Sequence, residues 1–254
     1  MNINLRKQLL PELKLLFIVS THGNEGFSIP VLKKLVTKYP RDEWGYDWII
    51  GNPEALKQKK RFTQADLNRS APGDLNSPLY EERRAAEIIE IAEGYDMIVD
   101  IHGTVSPCDM VKIISRPTVE NLALTAIFPE LVNIIWYSAR SLKKGPTVQF
   151  MTKPAIELEC AMTDPEIEEK LFQVLARALL MKREMSWIKL TATLAQQEWF
   201  QVTGRATSYD TQAKELQPLV TEQGTVYPFL TNQYRETPYY LLKRIKIEDT
   251  FLYQ

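Results

Sequence analysis

The chain has 254 residues, of which 44% are hydrophobic and 25% are charged, and its formal net charge is -1. This is the composition of a globular protein with a buried core, and the balanced charge gives no reason to expect nucleic acid or a membrane as partner. Charged residues interrupt the N-terminal apolar stretch, so we expect a cytoplasmic protein without signal peptide or membrane span. Cys108 and Cys160 have no metal or redox spacing and are expected to be inert core residues.

Strand and helix signals alternate through about the first 185 residues. Predicted strands cover residues 13–20, 47–50, 96–101, 110–114, 132–136 and 155–158. Predicted helices cover residues 29–38 and 77–94, and a third begins at Asp164-Pro165. Ser77 and Asp164 are the expected N-caps of the last two helices. This alternation favours an α/β fold, with a largely parallel sheet and helices on its faces.

The pattern changes after about Ser186. Short β-type runs such as Trp199–Val202 and Thr225–Tyr227 are separated by glycine and proline, and helical periodicity is weak. The sequence therefore predicts a domain of residues 1–186 followed by a small β-rich C-terminal domain of residues 187–254.

The only two histidines both stand in contexts suited to metal binding. His22 and Glu25 form an H-x-x-E pair, and His102 follows the predicted strand 96–101. A single H-x-x-E match is a weak signal, but the carboxyl ends of strands in an open α/β sheet lie together and bind ligands. Three protein ligands leave one position open, which is typical of a catalytic zinc ion. The sequence therefore predicts a zinc hydrolase with one ion.

The segment between the two histidines is rich in groups that bind carboxylates. Lys57, Lys59 and Lys60 are expected to be solvated surface residues. Arg61 and Asn68-Arg69 are the stronger candidates, since a guanidinium binds a carboxylate through two parallel hydrogen bonds and an amide adds a directional donor.

These residues together resemble a known family. The matching elements, in order, are His22-Gly23-Asn24-Glu25, Asn52-Pro53, Arg61, Asp66-Leu67-Asn68-Arg69, Asp100-Ile101-His102 and Ile156-Glu157-Leu158. They resemble the aspartoacylase and succinylglutamate desuccinylase family, a branch of the zinc carboxypeptidase fold. The resemblance implies a mixed, largely parallel sheet flanked by helices, with a small β-rich C-terminal domain.

The resemblance also implies catalytic roles. His22, Glu25 and His102 would hold the zinc ion. Glu157 would act as general base, taking a proton from the attacking water and passing it to the departing amine. Arg61 would polarise the substrate carbonyl and stabilise the developing oxyanion.

Substrate-binding roles follow from the same resemblance. Asn68 and Arg69 would bind a substrate carboxylate, and Tyr239 would supply the family's substrate-contacting tyrosine, with Tyr240 as the alternative. Asp100 lies two residues before His102 on a strand, so their side chains share a face. We expect Asp100 to orient the ligand imidazole.

Glu159 competes with Glu157 for the role of base. The two glutamates are two residues apart and would point the same way on a strand. The family pattern has one glutamate here, and Ile156-Glu157 aligns with it better, so Glu157 is the predicted base.

The sequence departs from the family in two places. True aspartoacylases have an arginine about ten residues before the catalytic glutamate, whereas this chain has Lys143 and Lys144 and no arginine between Arg140 and Glu157. Lysine cannot form the bidentate hydrogen bonds that a guanidinium makes to a carboxylate, so this chain is not expected to share the specificity for N-acetylaspartate. The family's glycine-proline motif after the glutamate is replaced by Leu158-Glu159-Cys160-Ala161.

The leading hypothesis is zinc-dependent hydrolysis of the amide bond of a small-molecule N-acylated amino acid or related carboxylate. One alternative is a zinc carboxypeptidase acting on peptides, which needs a longer groove. Another is a zinc-binding regulatory protein without turnover, since fold and site resemblance alone do not establish activity. The sequence leaves open the acyl group, the amino acid, the native metal and whether the protein forms a homo-oligomer.

Overall fold

The computed structural model describes residues 12–137, 143–222 and 224–248. Its strands are β1 Leu15–Val19, β2 Tyr46–Ile50, β3 Met97–Thr104, β4 Val111–Ile114, β5 Val132–Ile135, β6 Ala155–Ala161, β7 Trp199–Arg205, β8 Leu219–Thr221, β9 Gly224–Phe229 and β10 Tyr240–Ile245. Its α-helices are α1 Ser28–Lys38, α2 Arg41–Trp44, α3 Pro53–Gln58, α4 Tyr80–Ala92, α5 Val119–Leu124, α6 Ile167–Glu184 and α7 Trp187–Gln196.

All ten strands belong to one sheet, in the order β2-β1-β3-β6-β4-β5-β7-β10-β9-β8. Strands β2, β1, β3 and β6 are parallel neighbours. Strand β4 is antiparallel to β6 and is followed by its parallel neighbours β5 and β7. The last three strands in the order, β10, β9 and β8, pair antiparallel. The sheet is therefore mixed and carries helices, as the sequence predicts.

The central strands are buried on both faces because their sequences are almost wholly apolar. In β1 every residue is buried. Leu15, Phe17 and Val19 join a cluster with α1 and α6 on one face, whereas Leu16 and Ile18 join a cluster with α4 on the other. Each such buried side chain stabilises the fold by about 1.5 to 3 kcal/mol. Strand β1 thus holds the turn that follows it, where His22 lies, in a fixed place.

Two predicted helix starts are wrong by a few residues. Helix α4 begins at Tyr80, and the Ser77 hydroxyl accepts a hydrogen bond from the Leu79 backbone before the helix starts. Helix α6 begins at Ile167, and the Asp164 carboxyl accepts from the Glu166 backbone. In both places the polar residue closes a short turn ahead of the helix, as serine and aspartate side chains commonly do.

The region after Ser186 is less purely β-type than predicted. Helix α7 covers ten of its residues and is capped by the Ser186 hydroxyl, which accepts from the Lys189 backbone. Strand β7 then pairs with β5 in parallel, so the C-terminal strands extend the main sheet. The division into two domains at residue 186 stays a prediction, and any boundary there crosses a continuous sheet.

Among the described residues, no helix has both the length and the apolar character needed to cross a lipid bilayer.

Candidate active site

The two histidines meet at the shared carboxylate of Glu25. The Nδ1 atom of His22 lies 2.7 Å from Glu25 Oε1, and the Nδ1 atom of His102 lies 3.3 Å from Glu25 Oε2. The exposed fraction of each of the three residues is at most 3%. His22 follows β1 as expected, but His102 lies within β3, which runs to Thr104. The structure therefore brings together the three predicted metal ligands from two neighbouring strands.

The outer nitrogen of each imidazole faces a second carboxylate. His22 Nε2 lies 3.0 Å from Asp66 Oδ1, and His102 Nε2 lies 3.0 Å from Asp100 Oδ2. Outer carboxylates of this kind fix the ring and make its inner nitrogen a better metal ligand. Two inward imidazole nitrogens and one carboxylate form a donor set that zinc prefers. The residues therefore fit a zinc ion, with Asp100 in the orienting position that the sequence predicts.

One potential ligand atom from each of His22, Glu25 and His102 lies within 4.8 Å of the other two. A second trio, Asp100, His102 and Glu157, satisfies the same limit. The first trio has the better donor set, because in it both histidines present Nδ1 while their outer nitrogens face carboxylates.

The electrostatics of the site favour a cation. Burial alone would raise the pKa of Glu25, but the hydrogen bonds to His102 and His22 lower it to about 2. Burial disfavours protonation of His102, yet Asp100 and Glu25 hold the pKa of its ring well above the ordinary value. For His22, burial is likewise outweighed by Asp66 and Glu25, and its pKa is raised. A cluster of carboxylates that holds protons on two histidines is also a place where a divalent cation is stabilised.

Close backbone packing sets the position of the His22 turn. A Cβ atom on Gly23 would lie 2.1 Å from the carbonyl carbon of Ala55 in α3, so only glycine fits. The Gly23 amide donates to the Arg61 carbonyl at 3.2 Å. Asn52 caps α3 by accepting from the Ala55 amide at 3.0 Å. The Gly23 and Asn52 positions of the family pattern therefore hold the metal-ligand turn against the loop that carries Arg61.

Glu157 lies beside this cluster on the neighbouring strand β6, where it pairs in register with Asp100 of β3. Its Oε1 atom accepts a hydrogen bond from Asn68 Nδ2 at 2.9 Å and lies 3.7 Å from His102 Nε2. Its Oε2 atom accepts from Ser115 Oγ at 3.4 Å. The carboxylate of Glu157 is therefore held next to His102, one of the three predicted metal ligands. Ser115 was not singled out from the sequence, because no pattern around it indicates a function.

Arg61 stands at the edge of the cluster and is 38% exposed at its side chain. Its Nε and NH2 atoms donate to Asp66 Oδ2 at 3.2 and 3.1 Å, and its NH1 atom is 3.8 Å from Glu25 Oε1. Asp66 thus connects Arg61 to His22. Burial would raise the pKa of Asp66, but His22 and Arg61 hold it well below the usual range.

The loop that carries Arg61 and Asp66 is anchored by Glu81, which is fully buried at the start of α4. The Glu81 carboxylate accepts hydrogen bonds from the backbone amides of Thr63, Gln64 and Ala65. It also accepts from the Thr63 hydroxyl and from the Asn52 side chain. Sequence analysis missed this role, because a glutamate in the first turn of a helix is common for other reasons.

These groups open into a cavity of about 260 Å³. Besides His22, Glu25 and His102, its lining includes Arg61, Asn68, Arg69, Ile113, Ser115, Trp136, Lys144, Gln149, Glu157, Glu159, Arg205, Leu230, Gln233, Tyr234 and Tyr240. All the predicted site residues except Tyr239 lie at this cavity.

Of the two candidate tyrosines, the structure places the alternative Tyr240, and not Tyr239, at the cavity. Tyr239 lines a different cleft and packs against Leu219 and Val226. Tyr240 begins strand β10 and lines the cavity. Adjacent residues on extended backbone point to opposite faces, so only one of the two tyrosines can face the site.

Three cationic side chains that line the cavity interact with other groups of the protein. Arg69 donates from NH1 to the Asn68 carbonyl at 2.6 Å, and Lys144 forms an ion pair with Glu82. Arg205 of β7, which the sequence analysis did not single out, lies over the Tyr240 ring at 5.5 Å. Lys143 does not line the cavity, and Arg140 falls outside the described residues.

Burial raises the pKa of three further titratable groups, Glu159, Cys108 and Cys160. Glu159 lines the cavity, and burial raises its pKa to about 8. Cys108 and Cys160 are buried, and burial raises the pKa of both thiols. Neither cysteine is an activated nucleophile, in agreement with the sequence-based expectation.

Comparison with known proteins gives a family. Residues 11–183 match the succinylglutamate desuccinylase/aspartoacylase catalytic domain. A probable aspartoacylase from Prochlorococcus marinus is 30% identical over 98 residues, which are 36% of this chain and 33% of that protein. A succinylglutamate desuccinylase from Pseudomonas paraeruginosa is 34% identical over 86 residues, 32% of this chain and 26% of that protein. The matched part thus spans about a third or less of the length of these curated relatives.

Solved structures agree on the fold. Murine aminoacylase 3 superposes with a TM-score of 0.63 at 15% identity, covering 92% of this chain and 96% of that one. Succinylglutamate desuccinylase from Chromobacterium violaceum gives a TM-score of 0.64 at 14% identity, with 92% and 85% covered. The zinc carboxypeptidase-like α/β fold expected from the sequence is therefore confirmed. Because the family match covers more than half of the chain, the protein belongs to the succinylglutamate desuccinylase/aspartoacylase family.

Proposed function

We propose that the protein hydrolyses the amide bond of an N-acyl amino acid, or a related small carboxylate, with a divalent metal ion held by His22, Glu25 and His102. The observation that carries the proposal is the convergence of the two Nδ1 atoms on Glu25, with Glu157 on the adjacent strand. Zinc is the ion that this donor set favours. When bound, the ion supplies a Lewis acid that lowers the pKa of water and polarises a carbonyl.

Glu157 is the general base of the proposed reaction. It accepts a proton from the attacking water and transfers it to the departing amine nitrogen, which restores the carboxylate. Hydrogen bonds from Asn68 and Ser115 hold the carboxylate in one orientation. A catalytic group that is already held in the reactive orientation lowers the entropic part of the activation barrier.

Arg61 faces the same reacting group. Its guanidinium keeps N–H groups beyond those that bind Asp66, and its NH1 atom lies 3.8 Å from Glu25 Oε1. A fixed cation at this point stabilises the oxyanion that develops on the substrate carbonyl.

A substrate carboxylate is bound by Asn68 and Arg69 in this proposal. Asn68 uses one N–H of its amide for Glu157 and has a second to offer, and Arg69 uses only NH1 for the Asn68 carbonyl. Tyr240 replaces Tyr239 as the tyrosine expected to contact substrate. The cavity, at about 260 Å³, suits a small molecule better than a peptide.

The test is release of free amino acid from N-acetyl, N-succinyl and N-formyl amino acids by zinc-loaded protein. We expect turnover that is lost on chelation and lost in Glu157→Gln, while that variant still binds one zinc ion. Activity retained by Glu157→Gln but lost in Glu159→Gln would assign the base to Glu159. No turnover across the panel by protein that demonstrably holds zinc would refute the proposal and favour peptides or a non-catalytic zinc-binding role.

A further inference from the structure

Glu159 is an ionisable residue in the cavity that the proposed reaction does not use. It lies two residues after Glu157 on β6, so both side chains point to the same face, and both line the cavity. In register it faces His102 on one side and Val111 on the other. Glu159 therefore lies two residues beyond the proposed base Glu157, nearer the carboxyl end of the strand.

The carboxyl of Glu159 has no partner in the described part of the protein. Glu157 has hydrogen bonds from Asn68 and Ser115, but no donor within hydrogen-bond distance and no cation within ion-pair distance of Glu159 occurs among the described residues. Glu159 is partly buried, and burial raises the pKa of its carboxyl to about 8, so the charged form is disfavoured as long as it has no partner. A cationic ligand beside the carboxyl would stabilise the charged form.

The cations that share the cavity are already engaged elsewhere. Arg61 binds Asp66, Lys144 pairs with Glu82, and Arg205 stacks over the Tyr240 ring. Arg69 donates to the Asn68 carbonyl. None of these four makes an ion pair with Glu159, so a cationic group on a bound molecule would be its first such partner among the cations of the cavity.

Aromatic side chains line the same cavity as Glu159, namely Trp136, Tyr234 and Tyr240. The Tyr240 ring centroid lies 6.0 Å from that of Tyr234 and 4.4 Å from that of Trp136. A carboxylate next to aromatic faces is a favourable environment for an organic ammonium group, since both the charge and the ring quadrupoles attract it.

We propose that Glu159 binds a positively charged amine on the substrate side chain and makes the protein selective for N-acyl derivatives of basic amino acids. This inference rests on the proposed hydrolase function and adds the class of amino acid to it. The amine would donate hydrogen bonds to the Glu159 carboxylate, and the methylene chain of the side chain would pack on the aromatic wall of Trp136 and Tyr240. An ammonium group in this position also offsets the cost of the buried charge.

The experiment compares kcat/KM for Nα-acetyl-L-lysine and Nα-acetyl-L-ornithine with that for the neutral analogues Nα-acetyl-L-norleucine and Nα-acetyl-L-norvaline. A hydrogen-bonded charge pair predicts that the wild type prefers the amine of each pair by about tenfold to a hundredfold. In Glu159→Gln the ratio should fall to near one, mainly through KM. In Glu159→Lys the preference should move to Nα-acetyl-L-glutamate. Glu90→Gln, an exposed glutamate on α4, is the matched control and should keep the wild-type ratio.

Two kinetic outcomes would overturn the inference and leave the hydrolase function standing. One is a wild type that hydrolyses neutral or acidic N-acyl amino acids at least as well as basic ones. The other is a Glu159→Gln variant that loses turnover of every substrate while Glu157→Gln keeps it, which would make Glu159 the base.

A binding measurement separates this inference from failure of the proposed function. Calorimetry with free L-lysine and L-norleucine needs no turnover, and it should show tighter binding of lysine to the wild type and equal binding to Glu159→Gln. If no substrate is hydrolysed but lysine binding depends on Glu159, the hydrolase proposal fails and the amine site stands. Equal binding of lysine by the wild type and Glu159→Gln refutes the amine site.

Discussion

Asp66 connects groups with different tasks at the scale of single residues. One of its oxygens lies 3.0 Å from His22 Nε2, and the other accepts from the Arg61 guanidinium. The first oxygen also accepts from the Asn68 backbone amide at 2.9 Å. His22, Arg61 and Asn68, to which the proposed function gives different roles, are therefore all positioned through one carboxylate.

Replacement of Asp66 by Asn should weaken zinc binding about tenfold to a hundredfold, the usual effect of removing a carboxylate that orients a ligand histidine. The affinity is measured by competition with a chromophoric chelator at fixed pH. Asp42→Asn, which changes an exposed aspartate of α2, serves as control and should bind zinc like the wild type. Unchanged zinc affinity in Asp66→Asn would show that Asp66 does not orient His22 for metal binding.

The two tyrosines at the start of β10 form a natural matched pair. Tyr240→Phe should raise KM several-fold, because a hydroxyl that contacts substrate contributes about 1 kcal/mol, while kcat changes little. Tyr239→Phe should leave KM unchanged, since this ring packs in a separate cluster. The opposite pattern in steady-state kinetics would return the substrate contact to Tyr239.

This pair also shows what the sequence can predict at this scale. The metal ligands, Arg61, Asn68, Arg69 and Glu157 are identified by motifs and all lie at the cavity. No motif separates Tyr239 from Tyr240, because a shift of one residue on extended backbone reverses the side-chain direction. The register that decides the matter comes from the pairing of β10 with β7 and β9, which are distant along the chain.

At the scale of elements, helix α4 fixes the loop of residues 61–66 through Glu81. Glu81→Gln should destabilise the fold by about 1 to 3 kcal/mol, because an amide NH2 group cannot accept from the buried backbone donors that Glu81 serves. Urea unfolding measures the loss, and Glu90→Gln on the exposed side of the same helix is the control. A loss below about 0.5 kcal/mol would show that the loop is held by other contacts.

The contribution of Glu81 should depend on pH. Burial would raise its pKa, but the hydrogen bonds from Thr63 and Ala65 outweigh burial and lower it. A carboxyl whose pKa is lower in the folded state stabilises the protein above its unfolded pKa, and this stability is lost as the pH falls through the folded pKa. The stability difference between wild type and Glu81→Gln should therefore be full at pH 7 and shrink below about pH 4. A difference that is constant with pH would contradict this account.

The elements themselves were predicted better than their arrangement. Apolar runs located β1 to β7 and the helices α1, α4 and α6 to within a few residues. Helix α7 was missed although its sequence is amphipathic, because the β-type runs separated by glycine and proline that follow it set the interpretation of the whole region after Ser186. The antiparallel insertion of β4 beside β6 depends on pairing between distant segments, which local patterns do not encode.

At the scale of the whole molecule, strands β1, β3 and β6, which carry or precede predicted site residues, share one sheet with the C-terminal strands β7 to β10. Strand β7 pairs with β5, and a buried cluster joins Val111 and Ile134 to Phe200, Phe229 and Leu242. Tyr240 and Arg205 from the C-terminal strands line the same cavity as His22, Glu25 and His102. The predicted boundary at residue 186 therefore does not separate the site from the region after it.

We expect the full chain to unfold in a single cooperative transition, because an interface that includes a shared sheet and core couples the two parts. Tryptophan fluorescence and far-ultraviolet circular dichroism should give coincident urea curves. Two separated transitions, with the second retaining zinc, would show that residues 1–186 fold as an independent unit.

The residues that form the cavity come from distant parts of the chain, so they emerge at different times during translation. Strands β1, β3 and β6 are adjacent in the sheet and complete by residue 161, so a nascent chain that has emerged to that point can already join His22, Glu25 and His102. Tyr240 comes much later than Trp136, and β10 must enter between β7 and β9 to complete the aromatic wall. A chain that stops before β10 would therefore hold the three proposed metal ligands without a finished cavity around them.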